Sequence, residues 1–215
     1  MIDISTPFAY YVASHTLEFD FSELRKDPRN DFRIYGQKGY NFDDTKDLST
    51  REYHDKFYRV LDSHLSLKTK ITKCFNEFLN TIYGPLEAKI VTSWINTLKD
   101  GDNIALHRHT NCFYSGLLYY GEHYDKDSSK LWLINPLKNT LHNFIPKWYQ
   151  TEARHNATQD DVFLTPSTGA LYFFPSNIYH EASVHKGLDR SCLAFNFVID
   201  SDIWNNDSSQ TTWKQ

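Results

Sequence analysis

AKIVTSWINTLKDGDNIALHRHT, residues 88–110, is where the chain changes its period. AKIVTSWINTL (88–98) carries the β-branched and aromatic residues of a strand with a repeat of two. Lys99-Asp100-Gly101-Asp102 then reads as a turn, and a strand-like run leads into His107 and His109. Four further runs follow with the same repeat: CFYSGLLYYG (112–121), KLWLIN (130–135), ALYFFP (170–175) and SCLAFNFVI (191–199). Gly, Pro, Asn and Asp bound them, which predicts an antiparallel barrel or sandwich over about residues 85–200.

Upstream the repeat is helical. Ile71, Cys74, Phe75, Phe78, Leu79 and Ile82 make one apolar stripe, and Gly84-Pro85 stops it. Ser49 and Glu52 have the spacing of a capping box, with Tyr53, Phe57, Val60, Leu61 and Leu65 read as one helix behind it. Helices followed by strands predict an α+β fold: one domain over residues 1–215, with a helical buttress at about 46–84 packed on the barrel. TPFAYYVA (6–13) reads as an opening strand, Glu18 to Asp47 as a polar surface segment, and Leu137 to Asp160 as a long insertion of the lid or binding-loop kind.

Composition narrows the class. With 40% apolar residues, including 5 Trp, 14 Tyr and 15 Phe, the chain has ample material for a core and is not disordered. A net charge of −4 leaves no basic field for non-specific nucleic-acid binding. No run is apolar and long enough for a membrane span, and the start lacks the basic flank of a signal peptide, so a cytoplasmic protein is expected. Cys74, Cys112 and Cys192 form no CxxC pair and read as free thiols.

Of the ten histidines, His15, His54, His64, His123, His142, His155 and His185 stand among polar neighbours and read as solvated. His107 and His109 differ, because alternate strand residues share a face and their imidazoles can converge. The strand LYFFP turns at Pro175 and presents His180, and Arg190 heads the next apolar strand ten residues later. Three imidazoles suit divalent iron, zinc, copper or nickel, and a guanidinium nearby can fork onto a carboxylate.

TSWINTLKDGDNIALHRHT, FYSGLLYYGEHY, LYFFPSNIYHEASVH and RSCLAFNFVI, in this order and spacing, resemble the iron(II)- and 2-oxoglutarate-dependent oxygenases, within them the branch found in phages and marine bacteria. The resemblance spans about residues 88–200 and implies a double-stranded β-helix, a jelly-roll or cupin-like barrel with the metal at its mouth. It implies Fe(II) on His107, His109 and His180, with Arg190 on the far carboxylate of 2-oxoglutarate. Tyr119 and Ser115 match strand hydroxyls that help hold this co-substrate; Asn103 and Asn196 match recurring amides, and Asn196 is counted with the co-substrate site. The implied reaction decarboxylates 2-oxoglutarate with molecular oxygen and oxidises a second substrate, most simply by hydroxylation. That substrate stays open between a peptide, a nucleotide and a small metabolite, and the cellular site would be the host cytoplasm if a phage encodes the protein.

Two departures matter. Most of the superfamily has HxD or HxE where this chain has His107-x-His109, although the branch it resembles commonly shows HxH. If His109 is not the third ligand, the nearest acids by motif are Glu122, Asp125 and Glu181. Cys192 stands where a serine is usual. Trp94, Trp132, Trp148 and Arg154 are candidates for the substrate entrance, with core packing the alternative for the first two. A second reading is a three-histidine, cupin-like metalloenzyme or metal-binding module without 2-oxoglutarate: Gly101-x5-His107-x-His109 and Gly169-x5-Pro175-x-Asn177-x2-His180 resemble the two cupin motifs, but the cupin glutamate after HxH is missing. An inactive interaction domain ranks third.

Overall fold

Strand alternation sorts side chains onto two faces, and in this chain the two faces have different work. The computed structural model describes residues 10–32, 46–124, 128–136 and 161–199. Among these, nine strands form two antiparallel sheets. They are β1 (Ala13–Thr16), β2 (Ala88–Leu98), β3 (Ile104–His107), β4 (Tyr114–Tyr119), β5 (Leu131–Ile134), β6 (Asp161–Leu164), β7 (Ala170–Pro175), β8 (His180–Ala182) and β9 (Arg190–Ile199). The larger sheet has the order β1-β7-β4-β9-β2 and the smaller β3-β8-β5-β6.

On one face of the larger sheet, Ile95, Tyr114, Leu118, Phe173, Leu193, Phe195 and Phe197 pack against the helix α3 (Leu65–Tyr83) through its buried residues Leu67, Ile71, Phe75 and Leu79. Phe75 is the hub, stacked on Phe197 at 3.9 Å and tilted against Phe173 at 5.1 Å and Tyr114 at 5.4 Å. Gly116 is required here, since a Cβ on it would lie 2.1 Å from the Phe195 ring. The expected packing of the second helix on a sheet is therefore what the structure has. The opposite face turns toward the smaller sheet. Thr92, Trp94 and Asn96 of β2, Ser115 and Leu117 of β4, and Arg190, Cys192, Ala194 and Asn196 of β9 all line one pocket there.

A bulge makes this sorting possible. Ile90 pairs with Phe197, but Thr92 pairs with Asn196, so Val91 is an extra residue on β2. Ile90 stays on the helix side, and Thr92 is switched to the pocket side.

Several expectations need correction. The first predicted helix is interrupted: α2 (Thr50–Phe57), with the Ser49–Glu52 capping box present, ends before Val60 and Leu61, which sit in a separate 3-10 turn, Val60–Asp62. The cause is the edge strand. Ser93 N–H donates to Tyr58 O (2.9 Å) and Leu61 N–H donates to Ser93 Oγ (2.8 Å), so the chain leaves its helical bonds to cover the free edge of β2. Leu65, read as part of the stripe, is 66% exposed at the start of α3. In the expected polar segment, a short helix α1 (Ser22–Arg25) buries Leu24, and Phe21 before it is buried in the same core. Asp27 anchors this corner through Arg29 (2.5 Å) and His64 Nε2 (2.9 Å). The opening strand is Ala13–Thr16; residues 6–9 of the predicted one lie outside the described residues, as does the whole 137–160 insertion.

Candidate metal centre

β3 and β8 bring the histidines together. His107 and His180 are register partners, and their ring centroids are 4.2 Å apart. β3 ends at His107, so His109 does not share its face by strand alternation as expected. Its own backbone pins it instead: His109 N–H donates to Ser176 O (2.9 Å). Its ring lies 5.2 Å from that of His107 and 5.0 Å from that of His180. The potential ligand atoms of the three lie within 4.8 Å of one another, and no carboxylate joins this cluster among the described residues. Glu122 is exposed and pairs with Arg25 at 3.4 Å. Glu181 follows His180 on β8 but is not among the pocket-lining residues, and Asp125 lies outside the described residues.

Each imidazole is held by Nδ1. His107 Nδ1 meets Ala105 O at 2.8 Å and His180 Nδ1 meets Ile178 O at 2.9 Å. A carbonyl only accepts, so in both rings Nδ1 carries the proton and Nε2 keeps its lone pair. For His109 the partners of Nδ1 are Asn196 Oδ1 and Ser115 Oγ, both at 2.9 Å. Asn196 is oriented by donating Nδ2–H to Thr92 Oγ1 (3.0 Å), the residue exposed to the pocket by the bulge, and Ser115 Oγ also meets Ser176 Oγ at 3.0 Å. Ser115 and Asn196, expected beside the co-substrate, thus sit behind His109. Thr92 and Ser176 were not singled out from the sequence, because a bulge and a turn hydroxyl leave no periodic signal. Asn103, the other expected amide, is exposed just before β3.

Burial disfavours the charged imidazolium. It pushes His180 down to about 3, with His107 adding to the shift, and lowers His109 despite its bond to Asn196. These rings are neutral at pH 7, the form that binds a metal.

Arg190 occupies the other end of the same face. It is 1% exposed, its Nη2–H donates to Tyr119 Oη (2.5 Å), and its guanidinium carbon lies 4.7 Å above the Tyr119 ring. Its other contact is Nη1 to Cys192 Sγ at 3.8 Å, and Nε has no partner. No carboxylate pairs with this cation among the described residues. A buried charge left this way is costly unless an anion completes it. Tyr119 is fully buried behind Arg190 and does not line the pocket, whereas Arg190 does.

The pocket has a volume of about 620 Å³ and takes in the three histidines and Arg190. Its mouth is walled by residues the edge covering puts there: Tyr58 packs on Trp94 (5.7 Å), His54 stacks on Tyr58 (5.7 Å), and Trp94 meets the His109 ring edge-on at 5.5 Å. Trp132 points away from the pocket and packs against Phe163 at 5.4 Å. Trp148 and Arg154 lie outside the described residues. Two histidines expected in solvent are not: His185 is fully buried, between Ser129 N–H (3.2 Å) and Leu188 O (2.7 Å), and His64 is held by Asp27.

Residues 92–196, which contain every one of these pocket groups from Thr92 to Asn196, match the sequence family described as "Putative 2OG-Fe(II) oxygenase". Over these residues the chain is similar to that family. No protein of curated function matches this sequence. Among solved structures it is similar to an oxidoreductase of the 2OG-Fe(II) oxygenase family from Burkholderia pseudomallei (TM-score 0.45, 14% identity, covering 63% of this chain and 57% of that one). It is also similar to a prolyl-4-hydroxylase from Pseudomonas putida (0.42, 17%, 66% and 67%) and to HygX from Streptomyces hygroscopicus, solved with nickel and 2-oxoglutarate bound (0.47, 7%, 66% and 70%). The chain thus spans little more than half the length of the Burkholderia protein.

Proposed function

We propose that the protein is an Fe(II)- and 2-oxoglutarate-dependent dioxygenase of the hydroxylase type, with His107, His109 and His180 as metal ligands and Arg190 as the anchor for the far carboxylate of 2-oxoglutarate. The observation that carries this reading is a fully buried guanidinium with an unpartnered Nε, lining the same pocket as three imidazoles whose Nε2 atoms are free. In this reading the two antiparallel sheets are a double-stranded β-helix, and residues 1–215 are one cytoplasmic domain with its helical part at about 46–84 and its barrel at about 85–200. No helix among the described residues is long and apolar enough to cross a membrane.

When bound, iron with 2-oxoglutarate supplies the oxidising chemistry: oxygen-driven decarboxylation to succinate and carbon dioxide, coupled to oxidation of the primary substrate. The protein's own part is orientation and exclusion of water. Ala105 O, Ile178 O and Asn196 Oδ1 fix the tautomer and aim of the three rings. Tyr119 Oη and the Tyr119 ring hold the guanidinium of Arg190 at the pocket wall, where it meets a carboxylate without further reorganisation. Trp94 shields His109 from solvent, and Phe174 covers His180 at 5.0 Å.

Calorimetry of 2-oxoglutarate into the Fe(II)-loaded protein under anaerobic conditions tests this. One co-substrate should bind per chain, and Arg190→Met should weaken it by about 2–5 kcal/mol while Fe(II) affinity holds. No binding by the wild type would favour the three-histidine cupin-like reading. Equal loss of metal and co-substrate in Arg190→Met would make Arg190 a structural residue.

A further inference from the structure

The pocket has an excess of positive charge that the proposed ligands do not cancel. None of its described lining residues is Asp or Glu, and Arg190 is its one fixed cation. Asp55 lies 3.9 Å from Nδ1 of the lining residue His54 but does not line the pocket itself, and it is engaged by Arg51 at 3.7 Å and Arg59 at 3.8 Å. Three neutral imidazoles leave a divalent ion its full charge; with Arg190 the site is triply positive. Dianionic 2-oxoglutarate then leaves one positive charge in a pocket whose described lining holds no acidic side chain, where a charge without a counterion is unfavourable. A site with a carboxylate in place of His109 would be balanced at this stage.

The rest of the wall says what accompanies the missing charge. Val91, Trp94, Tyr58 and Leu106 line the pocket together with the uncharged side chains of Thr110 and Asn111. Resting on the reading above, we propose that the primary substrate is an organic monoanion, a carboxylate or its equivalent on an apolar body, whose charge completes the pocket and whose body packs on the Tyr58–Trp94 wall. His109 is then a specificity-determining residue as well as a ligand, because its neutrality creates the demand for the anion.

The test is binding to the protein loaded with Co(II), an oxygen-inert reporter, and saturated with 2-oxoglutarate, followed by the visible Co(II) spectrum and by calorimetry at constant ionic strength. Phenylacetate should bind at least about tenfold more tightly than its neutral isostere phenylacetamide, and more tightly than formate, without releasing 2-oxoglutarate. The preference for phenylacetate over phenylacetamide should collapse in His109→Asp. Thr110→Asp, which adds a carboxylate at an exposed position of the mouth without touching a ligand, should weaken it in the same direction. Equal affinity for phenylacetate and phenylacetamide, displacement of 2-oxoglutarate by phenylacetate, or an undiminished preference in both variants would overturn the proposal. Formate binding as tightly as phenylacetate would overturn the apolar body and identify the counter-charge as a small free anion. If the Co(II)-loaded wild type does not bind 2-oxoglutarate at all, the functional reading fails and this inference falls with it.

Discussion

The two faces of the five-stranded sheet are built from the same strands by simple alternation, and both carry apolar clusters, yet only the one toward the smaller sheet also carries the polar groups of the pocket. The face toward α3 is a dry aromatic contact in which Phe75 touches Phe197, Phe173 and Tyr114. The face toward the smaller sheet carries Arg190, Asn196, Ser115 and Thr92, polar groups that a stability-driven core would exclude. Neighbouring residues of β9 alternate between these tasks: Phe195 packs on the helix side, and Asn196 reaches His109. Stability and chemistry are separated by about the thickness of one strand, so substitutions on the two faces should have separable effects.

The largest effect should come from the dry face. Phe75→Ala removes the hub and should cost about 3–5 kcal/mol in urea unfolding, while the folded fraction still binds metal with wild-type affinity. A change in metal affinity of the folded protein would break the separation. On the wet face, Asn196→Leu removes the acceptor that fixes the His109 tautomer and should lower metal affinity about 10- to 100-fold with little loss of the helix-side core, measured by competition with a chromogenic chelator. Unchanged affinity would mean that Ser115 alone orients the ring.

The smallest effect, counted per pH unit, is a pH dependence. His180 has its folded value lowered from 6.5 to about 3 by burial, so as pH falls the unfolded chain takes up its proton first. Its contribution to stability is full above about pH 6.5 and is lost as pH falls toward 3, and His109 acts in the same sense. The metal-free protein should therefore lose stability below pH 6.5 with a slope of at most about 1.4 kcal/mol per pH unit for each such histidine. Asp27 works in a lower window. Burial would raise it, but the bonds from Arg29 and His64 hold it at about 2, so its contribution is lost only as pH falls from 3.8 toward 2. His180→Gln should flatten the upper window and leave the lower one. An unchanged upper slope would contradict the burial assigned to His180.

The sheet strands and α3 were legible because each repeats its signal over several residues, as in AKIVTSWINTL and in Ile71, Phe75 and Leu79. Elements decided by one or two contacts were not. α2 stops because Ser93 on a distant strand captures Tyr58 O and Leu61 N–H, which no local pattern encodes. β8 spans only His180–Ala182, too short for a repeat to register. At the candidate site, residue type and order singled out three histidines and Arg190, which the structure brings to one pocket. They did not reveal that Ser115 and Asn196 back His109, because that depends on register with β9 and on the bulge at Val91.

The proposed function requires three neutral histidines to hold iron in a site that takes 2-oxoglutarate. An anaerobic titration of Fe(II), then 2-oxoglutarate, into the metal-free protein tests this by visible absorption in the wild type and in His109→Ala. One Fe(II) per chain, a charge-transfer band that appears only when both are present, and loss of the band in His109→Ala through loss of the metal are expected. A wild type without the band at saturating iron and 2-oxoglutarate, or a His109→Ala protein that binds iron as tightly as the wild type, would contradict it.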